Sequence, residues 1–84
     1  MNKTLLVILV DKRKASAVKV QQVLTDWGCV IKTRLGIHDG ALDNCSDGGL
    51  IILEILATSE QKTRLTHKLE QLDGVSTELV EIAV

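Results

Sequence analysis

Asp11, Lys12, Arg13 and Lys14 follow directly on an aliphatic run. With Asp11 as a cap and the cations in the first turn of a helix, the dipole disfavours each positive charge by roughly 0.3–1 kcal/mol. A small anion held by the free N–H groups of that turn offsets the cost, so an anionic ligand is the expectation for this cluster. The competing account is solvation: Asp11 neutralises part of the charge, and the long side chains swing into water. A second stretch gathers His38, Asp39, Asp43, Cys45 and Asp47. Sets of His, Cys and carboxylate bind zinc or nickel. No two of these stand at an i, i+4 or Cys-x-x-Cys spacing, however, and Asp with Gly is what any long turn contains. A metal held by His38 and Cys45, completed across a subunit interface, is therefore the alternative, and no resident cofactor is expected.

The remaining reactive side chains point away from catalysis. Cys29 falls on the core-facing parity of a strand and reads as a buried, inert thiol. His67 falls on the polar side of a helix and reads as solvated. A nucleophile needs a base, an orienting group and an oxyanion donor, and no spacing marks such a set, so no enzyme activity is expected. Other chemistries common on small α/β sheets are missing too: there is no Cys-x-x-Cys pair and no cysteine run for a cluster.

Composition narrows the partners. The chain has 84 residues and a net charge of −1, so it makes one domain and lacks a basic footprint for nucleic acid. It contains no Phe and no Tyr, and Trp27 is its single aromatic residue, leaving no platform on which bases stack. Direct nucleic-acid binding is not expected. Two cysteines are too few for a secreted disulfide scaffold, which favours the cytoplasm. The apolar run at residues 5–10 is too short to span a membrane and lacks a signal-peptide cleavage site. A domain of this size buries only about 60–65% of its unfolded surface, so association is a plausible source of stability.

The elements that position these groups follow from periodicity. Residues 50–57 are apolar except for Glu54, and residues 5–10 are apolar throughout, so both read as central strands with both faces buried. Ala17, Val20, Val23, Leu24 and Trp27 form one helical stripe over residues 12–27, with Val18 off it and Gly28 at the C′ position. Residues 29–37 alternate as an edge strand, with Cys29, Ile31, Thr33, Leu35 and Ile37 on one face; residues 38–49 form a polar loop. Thr58 and Gln61 make a capping box for a second helix that turns Leu65, Leu69 and Leu72 inward and stops at Gly74. The last strand, residues 75–84, slips its alternation near Leu79-Val80, as a bulge or a tail reaching a neighbour would.

The order β-α-β-β-α-β with two doubly apolar and two alternating strands predicts an α+β, ferredoxin-like sandwich. Its four-stranded antiparallel sheet has the order 4-1-3-2, with both helices on one face. The other face carries Leu50, Ile52, Leu56 and one parity of the first strand, an apolar patch larger than soluble monomers usually expose. A homo-oligomer, dimer or tetramer, is expected.

Val10-Asp11-Lys12-Arg13, the segment Ile31-Lys32-Thr33-Arg34-Leu35-Gly36-Ile37, and Leu69-Glu70-Gln71-Leu72-Asp73-Gly74-Val75 resemble the small regulators associated with iron-only hydrogenase systems. That family is ACT-like and similar in fold to the C-terminal domain of the nickel-responsive repressor. The resemblance covers nearly the whole chain through loose, mostly structural motifs. It implies an oligomeric regulatory or ligand-sensing module, with effectors held at the junction of the first strand and first helix. Two features depart from the wider pattern. Lys14-Ala15 stands where amino-acid-binding ACT domains carry glycine, and the His-x-His pair of the nickel repressor is missing. A non-enzymatic module binding a small anion is the leading expectation. A metal sensor or a structural subunit binding another protein are the alternatives.

Overall fold

The structure, a computed structural model, describes residues 2–11, 16–38 and 49–83, the side chains of Ile37 and His38 excepted. The chain runs β1 (Asn2–Val10), α1 (Ala17–Asp26), a 3-10 turn (Gly28–Val30), β2 (Ile31–His38), β3 (Gly49–Ile55), α2 (Ser59–Glu70) and β4 (Val75–Ala83). The strands form one antiparallel sheet of order β2-β3-β1-β4, the expected ferredoxin-like order seen from its other edge.

Pleating sends alternate residues to opposite faces, and one face is closed by the helices. Leu6, Ile8 and Val10 of β1 and Ile51, Leu53 and Ile55 of β3 are buried there with Val75 of β4. Val20 and Leu24 from α1, with Leu65 and Leu69 from α2, complete this core, and Val23, Trp27, Ile31 and Leu72 pack around it. Burying each of these aliphatic side chains contributes about 1.5–3 kcal/mol. Helix α2 starts as expected: Gln61 N–H donates to Thr58 Oγ1 at 3.1 Å, and Thr58 N–H donates to Gln61 Oε1 at 2.9 Å. Gly74 takes φ 76°, the left-handed conformation that turns the chain into β4. As the helical stripe implied, Val18 is exposed.

Several local expectations are corrected. Helix α1 begins at Ala17 with Ser16 as its N-cap residue in place of the expected Asp11, whose N–H donates to the Gly74 carbonyl at 2.8 Å. That bond and one from Ser16 Oγ to the Asp73 carbonyl hold the chain on the α2–β4 turn before the helix starts. Gly28 does not take a positive φ; it opens the 3-10 turn, which also holds Cys29. Cys29 is exposed rather than buried in a strand.

The faces of β2 are reversed by one extra residue. Ile31 stands opposite Ile55, yet Thr33 stands opposite Glu54, so Lys32 is bulged out. Beyond the bulge Thr33 and Leu35 lie on the face away from the helices, and Leu35 is 55% exposed. Arg34 and Gly36 take the helix side, where nothing lies within 4 Å of the Cβ that Gly36 lacks. Strand β4 has no bulge: its register runs unbroken from Val75 opposite Val10 to Ala83 opposite Asn2. The slip near Leu79-Val80 is a change in which face is apolar, and it sends Val80 and Ile82 to the uncovered side. Strand β3 ends at Ile55, so Leu56 lies beyond the sheet, its N–H donating to the Val30 carbonyl.

Candidate functional site

Two features meet at one end of the sheet. The first is a cleft of about 840 Å³ bounded by residues 9–11 at the end of β1 and residues 70–76 across the α2–β4 turn. Its architecture follows from two bonds: Asp11 N–H to the Gly74 carbonyl, and Ser16 Oγ to the Asp73 carbonyl at 2.6 Å. The two residues that flank 12–15 are thus tied to adjacent carbonyls of the same turn. Of the basic cluster, Asp11 lies in the cleft wall; Lys12, Arg13 and Lys14 lie outside the described residues. Glu70 also lines the cleft, and its Oε1 accepts a hydrogen bond from Thr77 Oγ1 at 3.1 Å.

The second feature is the sheet face that no described helix covers. Register places Leu5, Val7 and Leu9 of β1 beside Leu50 and Ile52 of β3, with Leu35 of β2 and Val80 and Ile82 of β4 outside them. Leu9 and Ser76 belong to both features: they lie on this open face and line the cleft. A ligand in the cleft therefore touches the rim of the surface that the expected oligomer would bury.

Glu54 interrupts the open face. Lys3 Nζ donates to its Oε2 at 3.0 Å, and Lys32 Nζ stands 4.0 Å from the same oxygen. The Lys3 hydrogen bond holds the Glu54 carboxyl below the usual carboxylate range; desolvation opposes that shift, and the charges of Lys3 and Lys32 reinforce it. Sequence reading noted Glu54 only as an exception in an apolar run. A carboxylate in such a strand demands a cation from the strands beside it, and that requirement was the available signal. The α2–β4 turn was likewise read as a helix stop rather than as a cleft wall.

Among the described residues, the remaining candidates do not gather into a centre. His67 is exposed, its Nε2 3.1 Å from Gln71 Nε2. Among the described residues, no group of three His, Cys, Asp or Glu side chains is placed to hold a metal ion. The side chain of His38, and Asp39, Asp43, Cys45 and Asp47, lie outside the described residues. No helix among the described residues is long and apolar enough to cross a membrane.

No family model matches the chain, and no curated protein matches it. Among solved structures, the chain is similar to an uncharacterized protein from Thermotoga maritima, at 23% identity and a TM-score of 0.79 over 99% of this chain and 100% of that one. It is also similar to a formyltetrahydrofolate deformylase from Pseudomonas putida, at 15% identity and a TM-score of 0.52. That likeness covers 95% of this chain but 28% of the deformylase, one part of a larger enzyme. At these identities both show the fold alone.

Proposed function

We propose that this chain is a non-enzymatic regulatory module of the cytoplasm that binds a small anionic effector and works as a homo-oligomer, a dimer or tetramer. Asp11, Lys12, Arg13 and Lys14 form the effector site, with the three cations supplying the charge that attracts the anion. The supporting observation is the double tether: Asp11 and Ser16 flank the basic segment, and both are bonded to the turn that walls the cleft. Leu9 and Ser76 join the cleft to the open sheet face, so occupancy of the cleft and assembly through that face are coupled. Such coupling is reciprocal, and an effector that favours the oligomer binds it more tightly than the monomer. The resemblance to regulators of iron-only hydrogenase systems fits a sensing subunit of that kind.

The test is calorimetry with inorganic phosphate, a dicarboxylate and a nucleoside monophosphate as probes. At least one is expected to bind the wild-type chain, more tightly as protein concentration rises, and to bind a Lys12→Ala/Arg13→Ala variant at least tenfold more weakly. Absence of binding to the wild type by every probe contradicts the proposal.

A further inference from the structure

The two edges of the sheet differ. β2 is broken by the bulge at Lys32, a device that blunts an edge, whereas β4 keeps an unbroken register with β1 over its nine residues. Two bonds fix which backbone groups of β4 point outward. Asp11 N–H donates to the Gly74 carbonyl across the β1–β4 ladder, and Val75 N–H turns away from β1 to the Leu72 carbonyl at 3.3 Å. Ladder bonds alternate along an antiparallel strand. Ser76, Glu78, Val80 and Ile82 therefore bond to β1, and the N–H and C=O groups of Thr77, Leu79 and Glu81 face outward, taken by no described residue. A groove of about 220 Å³ runs beside this edge, between α2 and β4. Lys62 Nζ bonds Glu81 Oε1 at 2.7 Å toward one end of β4, and Glu70 accepts from Thr77 toward the other.

We infer that β4 pairs antiparallel with β4 of a second copy about a two-fold axis perpendicular to the sheet at Leu79, so that Lys62 of each copy meets Glu70 of the other. The pairing rests on the assembly proposed above and adds a second interface to it, making the oligomer a tetramer. Only outward-facing groups can bond a new strand, so the axis passes through a residue rather than between two. An axis at Glu78 or Glu81 sets a carboxylate opposite its own copy, which like-charge repulsion disfavours. An axis at Thr77 or Val80 shortens the overlap. The axis at Leu79 pairs all nine residues and sets Thr77 opposite Glu81. Glu70 is held beside Thr77 and Lys62 beside Glu81, so opposite charges come together at both ends of the contact.

The size of the edge says when it closes. A strand of nine residues at ~3.4 Å each, in a layer ~10 Å deep, presents roughly 300 Å² per copy. Two such edges bury on the order of 600 Å², below the ~1,200 Å² of a stable specific interface, so free single chains stay apart. Two face-joined dimers make the contact twice and close a tetramer, the second contact forming at the high effective concentration that the first creates.

The experiment is sedimentation equilibrium on the wild type, Leu79→Pro, Lys62→Glu, Glu70→Lys and the double exchange at 62 and 70, with circular dichroism confirming the fold of each. None of these residues belongs to the core, and proline at 79 removes an outward N–H that β1 does not use. The wild type is expected to reach a tetramer. Leu79→Pro and each single reversal are expected to weaken the dimer-to-tetramer step at least tenfold, and the double exchange to recover to within about threefold of wild type. A wild type that stops at the dimer, or a tetramer unmoved by Leu79→Pro, overturns the edge pairing and leaves assembly through the open face standing. A double exchange no tighter than the weaker single overturns the Lys62–Glu70 contact. A wild type that stays monomeric overturns both interfaces.

Discussion

Ser16 Oγ donates to the Asp73 carbonyl at 2.6 Å, joining the start of α1 to the turn that ends α2. Ser16 is only 5% exposed, so its hydroxyl has little water to fall back on. Removing the hydroxyl deletes this part-buried hydrogen bond, at a cost of about 0.5–1.5 kcal/mol. Ser16→Ala is expected to lower the urea midpoint accordingly, and also to weaken any effector bound beside Asp11, because one end of the basic segment loses its anchor. An unchanged midpoint shows that the bond carries no weight.

The carboxyl of Glu54 gives a pH dependence with a definite sign. Its pKa is lowered in the folded chain, so the stability it contributes is complete above the ordinary glutamate value and is lost as pH falls through the lowered one. Lys3→Met removes the main cause, and the Glu54 pKa is expected to rise toward the ordinary range in an NMR titration. The variant is also expected to lose less stability than wild type across that acid window. A Glu54 titration identical in the two proteins contradicts the account.

Helix α2 depends on its capping box. Thr58→Ala removes the acceptor for Gln61 N–H and is expected to cost about 1 kcal/mol, within the 0.5–2 kcal/mol typical of such caps. Thr58→Ser keeps the oxygen and is expected to stay within a few tenths of wild type in the same denaturation series. Equal losses from both changes show that the methyl group, not the hydrogen bond, matters.

Core and open-face substitutions are expected to behave differently. Leu53 is fully buried, and Leu53→Ala is expected to cost about 2–5 kcal/mol at every protein concentration. Val80 lies on the open face, and Val80→Thr is expected to change the thermal midpoint mainly through its dependence on protein concentration, which linkage to assembly creates. Concentration-independent melting of both variants and of wild type contradicts the assembly.

Much of this architecture was legible because it rests on patterns that local sequence carries. The unbroken aliphatic runs of β1 and β3, the Thr58–Gln61 pair and the leucine spacing of α2 each state their structure directly. The edges were less legible. Lys32 between Ile31 and Thr33 reads as ordinary alternation, and only pairing with β3 reveals the bulge that turns Leu35 away from the helices. The shift at Leu79-Val80 was visible, but a bulge and a change of apolar face write the same pattern into a single strand. The start of α1 is set by contacts of Asp11 and Ser16 with a turn more than fifty residues away, which no local window contains. The cleft was invisible for the same reason: its second wall is that turn.

The central claim is that the uncovered sheet face is buried against another copy, and Ile52 tests it most directly, standing between Val7 and Leu35 by register. Sedimentation equilibrium on wild type and Ile52→Lys, with circular dichroism as the check on folding, is the deciding measurement. Wild type is expected to run at a multiple of its 9.2 kDa mass, and Ile52→Lys as a folded single chain. A wild type that remains a 9.2 kDa particle at millimolar concentration contradicts the account.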